Sequence, residues 1–188
     1  MDADRLHEKL GSAPRGVVGV EADGAAVITL SYVAILETLK EQIATLTGEI
    51  ERSFAAHPDA PIFSSLPRSG TLRAARLLAE IGDARGRFPT ANSLACLAGV
   101  VPATRQSGKS RVVTFRHVAD KKLRDALCDF AGDTRKSTPW AAELYDQARS
   151  RGHTHQHAVR ILGRSWSRVI WKCWRDRVTY DPEVRAAQ

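Results

Sequence analysis

Cysteine is scarce in this chain. Cys96, Cys128 and Cys173 are odd in number, far apart and set in apolar helical patterns, which argues against a disulfide frame or a thiolate zinc site and points to small buried hydrophobes in a reducing compartment. Long apolar runs are also lacking: the longest, Ala25 to Leu36, is broken by Thr29 and Ser31. It is expected to be too short to cross a bilayer, and no basic-then-apolar leader precedes it. These absences point to a cytoplasmic chain with no membrane partner. No phosphate loop, dinucleotide fingerprint or paired-carboxylate motif occurs. His153, His155 and His157 imitate a metal motif, but only the first and third would share a helix face and no glutamate follows the first. No metal site is therefore expected. Ser107, His117 and Asp120 could be named as a catalytic triad, but any chain of this size offers such a trio.

Acid is short where base is plentiful. Residues 1–60 carry five Lys/Arg against ten Asp/Glu, whereas residues 61–188 carry 23 against 11, giving +7 overall. A C-terminal two-thirds this basic favours a polyanion, with nucleic acid the first candidate. At 188 residues and 43% hydrophobic, the chain can bury one core with an appendage.

Residues 1–30 take no assigned element; a lone strand around Val17, Val18 and Val20 and a disordered arm both stay open. Residues 31–60 hold a heptad seam, Tyr32, Leu36, Leu39, Ile43, Leu46 and Ile50, which reads either as a dimerising coiled coil or as an amphipathic helix on its own domain. His57-Pro58-Asp59-Ala60-Pro61 breaks the chain where the charge changes sign. Residues 61–180 form the basic domain and 181–188 a tail. The domain opens with a helix-hairpin-helix around Pro67-x-x-Gly70, whose turn amides and second helix could hold a phosphate with help from Arg68 and Arg73. A helix capped by Thr90 buries Leu94, Leu97 and Ala98 and stops at Gly99. Further helices are expected from His117 to Lys136, from Pro139 to Gly152, and from His153 to Val178. The last has an apolar stripe and a basic one, with Trp171 exposed beside the basic residues or packed in the core.

Between Gly99 and the His117 helix lies a basic loop or small β-hairpin. Ser107 there has Arg105, Lys109 and Arg111 within four residues, so an anion reaching the hydroxyl meets several cations. The fold class expected is mainly α, with a coiled-coil-like helix before a helical domain that carries the Ser-Gly motif on this hairpin or loop.

The stretch from Leu66 to Tyr180 resembles the C-terminal transposase domain of the insertion sequence one-ten family, the RNA-guided bridge recombinases. The likeness rests on Pro67-x-x-Gly70 followed by Ala74-Ala75-x-Leu77-Leu78-Ala79-Glu80-Ile81-Gly82-Asp83, then Leu94-Ala95-x-Leu97-Ala98-Gly99-Val100-x-Pro102, Gln106-Ser107-Gly108 and Leu123-Arg124-x-x-Leu127, in that order and spacing. The resemblance implies that Ser107 is the nucleophile, attacking a DNA phosphate to leave a covalent ester that can be rejoined. It further implies nucleic-acid contacts by Arg68, Gly70, Arg73, Arg105, Gly108, Lys109, Arg111 and Arg124, and a dimer or mixed dimer through the heptad helix. The partners implied are DNA and a structured guide RNA. Magnesium belongs to an acidic domain that family members carry ahead of this one; the residues before the heptad helix, Asp2, Asp4, Glu21 and Asp23 among them, do not match it. The expectation is an N-terminally truncated or stand-alone transposase module that binds no cofactor itself. The alternative is a non-catalytic helical nucleic-acid-binding or regulatory partner of a full-length transposase. Two positions depart from the pattern, Arg68 and Ala119, each where a glycine is usual.

Overall fold

Leu6 and Leu10 stand four apart in Ala3–Gly11, with Asp4 in the first turn and Lys9 in the last, and this stretch is helix α1, its charges complementing the helix dipole. The computed structural model describes residues 3–13, 16 and 18–182, with Arg105 described by its backbone alone. Asp2, Val17 and the tail from residue 183 lie outside the described residues. The strand or disordered arm expected before residue 31 is thus corrected: α1 is helical, and α2 runs unbroken over Val20–Ala55. Two facts explain the earlier start. Glu21 and Asp23 occupy the first turn, and the residues that seemed to interrupt the apolar run are accommodated by the helix itself. Thr29 Oγ1 donates to the Ala25 carbonyl at 2.8 Å and Ser31 Oγ to that of Val27 at 2.9 Å.

The chain divides into two compact units, Met1–Thr47 and Gly48–Gln188, the division falling within α2. In the first, every seam residue of the helix is exposed, Leu39 and Ile43 included. By length and composition α2 is also long and apolar enough to cross a bilayer, which the apolar run taken alone is not. The same length and composition suit a helix that pairs through an apolar seam.

The second unit contains the end of α2, then α3 (Ala60–Ser64), α4 (Gly70–Ile81), a 3-10 turn at Arg85–Arg87, α5 (Ala91–Leu97), β1 (Ala103–Ser107), β2 (Ser110–Thr114), α6 (Lys121–Thr134), α7 (Pro139–Ser150) and α8 (His155–Asp176). Its helix starts follow local chemistry. Thr90 and Ser93 form a reciprocal capping box on α5. Asp120 accepts from the amides of Lys122 and Leu123, so α6 begins there and not at His117. Thr154 caps α8 in the same way, which leaves His153 outside the helix. Leu97, expected inside, ends α5 and stays partly exposed, while Leu94 and Ala98 are buried.

Helix α8 is the axis of this unit, packed by α5, α6 and α7. Its tryptophans anchor three different segments. Trp166 Nε1 donates to Thr134 Oγ1 on α6 at 2.8 Å, Trp171 Nε1 to the Phe88 carbonyl at 2.9 Å, and Trp174 Nε1 to the Gly82 carbonyl at 2.9 Å. Trp166 and Trp174 are wholly buried, each removing apolar surface worth on the order of 5 kcal/mol gross. Their polar N–H groups are satisfied, so burial carries little desolvation cost. Arg85 grips both oxygens of Asp59 at 2.5 and 2.6 Å while its guanidinium lies 4.7 Å from the Trp174 ring centre.

Candidate nucleic-acid interface

Ser107 is the last residue of β1. Gly108 and Lys109 form the two-residue turn, and the antiparallel register runs from Ser107 opposite Ser110 at the tip to Ala103 opposite Thr114 at the root. Gly108 has φ +55° while Lys109 does not take a positive φ, the pattern of a hairpin turn with glycine at its first central position. No strand residue with a described side chain is buried, so the hairpin is a finger standing on the helical body. Four residues of strand at about 3.3 Å each carry Ser107 roughly 13 Å from the root. The finger holds Arg105, Lys109 and Arg111 and no acid. Ser107 shares its face with Ser110 and Val112, whereas Arg111, opposite Gln106, belongs to the other face. Lys109 at the turn is therefore the described cation best placed beside the hydroxyl, and the Arg105 side chain lies outside the description.

The root is held by aromatic and guanidinium contacts that the sequence pattern did not single out. Phe115 follows β2; Arg160 of α8 lies 3.7 Å from its ring centre, Arg124 of α6 lies 5.9 Å from it, and His117 meets it edge-on at 5.3 Å. Arg124 is mostly enclosed, its side chain 17% exposed, so its described contacts are those of a root residue. Also near Arg124, Gly99 has φ +66°, and a Cβ built there would sit 2.5 Å from the Ala119 Cβ. The amide of Asp120 donates to the Leu97 carbonyl at 2.8 Å and closes this loop. Ala119 is accommodated without a positive φ, so the turn before α6 survives the departure from glycine. The Asp120 carboxylate is committed to capping α6, which leaves no triad role for it.

The helical hairpin between α3 and α4 presents a different chemistry. Arg68 and Gly70 both take positive φ, +57° and +56°, so Arg68 adopts the conformation for which glycine is usual. Arg68 Nε meets Asp133 at 2.9 Å, and Arg73 bridges Asp129 at 2.9 Å, Asp133 at 3.2 Å and the Arg68 carbonyl at 2.7 Å. Lys136 joins at 2.6 Å. Hydrogen bonds from Lys136 and then Arg68 hold the Asp133 carboxyl far below the usual range, and Asp129 raises the Arg73 guanidinium. These two arginines are thus paired within the chain. What stays open is backbone: Ser69 gives α4 no side-chain cap, and nothing lies within 4 Å of the space a Cβ on Gly70 would fill. A depression of about 480 Å³ lies there, with Arg76 on its wall and the carboxylates Glu51 and Asp129 on its rim.

The histidines separate. His155 Nδ1 is 2.8 Å from the Tyr145 hydroxyl, while the His153 and His157 rings lie 4.2 Å apart. Burial, with His153 and Arg160 nearby, lowers the His157 pKa. Burial pushes the Cys128 thiol up to about 11; Cys173 is buried and Cys96 half-buried, all three free. Along α8, Arg160, Arg164, Arg168 and Lys172 follow one another at intervals of four. Trp171 is half-buried, with Arg175 4.3 Å from its ring centre, so it is neither open to solvent nor deep in the core.

Residues 60–146 match the family model described as the transposase IS116/IS110/IS902 family, a span that takes in the helical hairpin, the finger, α6 and the start of α7. The uncharacterized 43.6 kDa protein of insertion element IS110 from Streptomyces coelicolor is 32% identical over 163 residues, 85% of this chain and 40% of its own length. A protein of the IS117 mini-circle from the same organism is 35% identical over 138 residues, 73% of this chain and 33% of its own. The uncharacterized 42 kDa protein of insertion element IS900 from Mycobacterium paratuberculosis is 30% identical over 164 residues, 87% and 41% respectively. The chain spans about two fifths or less of the length of these curated relatives.

Proposed function

We propose that this chain is the DNA-binding, serine-bearing part of a transposase, a reading supported by the match of residues 60–146 to the model of the transposase IS116/IS110/IS902 family. The helical unit holds the β1–β2 finger so that the Ser107 hydroxyl reaches a DNA phosphate. The observation that carries this is the place of Ser107: exposed, at the tip of a finger with three cations and no acid, beside Lys109. In the step proposed, Ser107 Oγ bonds to phosphorus as one phosphorus–sugar oxygen bond breaks. The serine proton ends on the departing sugar oxygen, and the reverse step rejoins the strand. Lys109 offsets charge that grows on the phosphoryl oxygens. The α4 amides near Gly70 hold a second phosphate and fix the register of the duplex.

Magnesium is implied for the complete family proteins. Among the described residues no three His, Cys, Asp or Glu side chains come together to hold an ion. The described residues thus offer that ion no ligand set, and no step here passes through it. The exposed seam of α2 supports pairing with a second copy, or with a full-length relative in a mixed dimer. Such a mixed dimer is the second reading, in which this chain regulates a complete transposase. We place both in the cytoplasm, away from membrane, with DNA and a guide RNA offering the same phosphate chemistry to the basic unit.

The test is fluorescence anisotropy with duplex and branched DNA over a salt series. Binding that weakens linearly with log salt is expected, unchanged in Ser107→Ala, with any covalent adduct abolished by that substitution. No binding to either DNA at low salt overturns the reading.

A further inference from the structure

A cavity of about 760 Å³ opens beside the C-terminal half of α8 and is bounded by the segment 178–181. Its size falls in the range of small-ligand sites. Val169, Trp171 and Val178 supply apolar wall, and Arg168 and Lys172 supply cations. The wall is preformed, because Trp171 is tied through its N–H to the Phe88 carbonyl at 2.9 Å and carries Arg175 over its ring. Arg168 and Lys172 are exposed and form no ion pair among the described residues. Asp181, the one carboxylate on the cavity, is already engaged within the chain.

A flat apolar ring joined to an anion fits such a site, and a nucleotide unit of a nucleic-acid strand is that chemistry. The cationic series on α8 connects it to the finger. Arg160 stacks on Phe115 at the finger's root; Arg164, Arg168 and Lys172 then climb the helix over about 18 Å while winding round it. A strand lying on the finger can follow this ridge to the cavity. A paired base keeps both faces stacked in the duplex, so the occupant must be unpaired.

We propose that this cavity receives one unpaired nucleotide of the bound strand, its base against Trp171 and its phosphates on Arg168 and Lys172. The proposal rests on the DNA-binding reading above and adds a site to it. It also gives the basic stripe of α8 a direction, from the root of the finger to a base pocket.

The experiment compares the full chain with three probes: a paired duplex, the same duplex carrying one extrahelical 2-aminopurine, and free deoxyadenosine monophosphate. Expected is a preference of about tenfold for the bulged duplex, in line with one base stacked on an aromatic side chain, with quenching of the 2-aminopurine. Arg168→Gln with Lys172→Gln and, separately, Trp171→Phe test the site; the first pair are exposed and form no ion pair among the described residues, and folding of each variant is checked by circular dichroism. The preference should fall to about twofold or less in the double variant, with smaller loss of paired-duplex binding. Equal affinity for paired and bulged DNA, or a preference that survives the double variant, overturns the pocket and leaves the DNA-binding reading standing. Failure of both DNAs to bind overturns both. Free nucleotide competing as well as bulged DNA makes this a mononucleotide site and overturns the strand proposal.

Discussion

The guanidinium of Arg160 lies 3.7 Å from the ring centre of Phe115, and through this contact helix α8 holds the root of the finger that ends in Ser107. With no described strand side chain buried, the ladder alone gives the hairpin marginal stability, so the root decides where the hydroxyl points. Phe115→Ala is expected to lower global stability by only about 1–2 kcal/mol, the worth of a cation–π contact plus a half-buried ring. Amide exchange within residues 103–114 should accelerate by far more than exchange in α6. Equal acceleration everywhere would show the ring to be ordinary core.

Arg68 offers a test of backbone conformation. At φ +57° a non-glycine residue is strained by roughly 1–2 kcal/mol, while its ion pair with Asp133 is 43% exposed on the arginine side and Asp133 keeps Arg73 and Lys136. Arg68→Gly removes the strain and the pair; Arg68→Ala removes only the pair. The glycine variant should therefore be the more stable of the two by about 1 kcal/mol in chemical denaturation. An alanine variant at least as stable as the glycine one would rule out the left-handed conformation here.

Gly99→Ala should cost about 2–4 kcal/mol, combining a left-handed φ of +66° with a Cβ placed 2.5 Å from that of Ala119. Adding Ala119→Gly should recover the overlap but not the φ penalty. A single variant with wild-type melting temperature would mean that this loop repacks freely.

Acid should unfold the second unit. The Arg85 hydrogen bonds lower the Asp59 pKa, and Lys136 with Arg68 lowers that of Asp133. Both carboxyls are depressed in the folded state, so their stabilisation is fully present above the unfolded value near 3.9. It is lost as pH falls through the folded values. Asp59→Asn should cost about 2–3 kcal/mol at pH 7, the scale of a hydrogen bond to a charged group, and flatten the dependence below pH 4. A variant whose acid limb stays as steep as wild type would assign that limb to other groups.

Much of this architecture is legible in the sequence, and the misses have physical causes. The capping residue Thr90, the stop at Gly99 and the β-branched run after Ser107 all act through neighbours a few residues away, which is why local pattern finds them. The start of α2 was misplaced because Thr29 and Ser31 look like breaks until their hydroxyls turn back onto the helix. The ion pairs of Arg68 and Arg73 are invisible to local pattern because their acids, Asp133 and Asp129, arrive from more than fifty residues away. Phe115 and Arg160 escaped for the same reason; the only local sign was an aromatic residue closing a β-branched run.

The seam of α2 gives a further outcome. Ile43→Asp should shift the chain to a monomer in light scattering at concentrations where wild type is dimeric, since a charge in an apolar seam is left unpaired. A wild type that is monomeric at high concentration would contradict pairing between copies.

The most direct test is hydrogen exchange of the finger, residues 103–114, with and without duplex DNA at low salt. If Ser107 is presented to a phosphate, amides around Ser107, Gly108 and Lys109 should become strongly protected on binding, with Ser107→Ala giving the same protection. DNA that binds and protects the helices while the finger exchanges as fast as in the free protein would contradict the account.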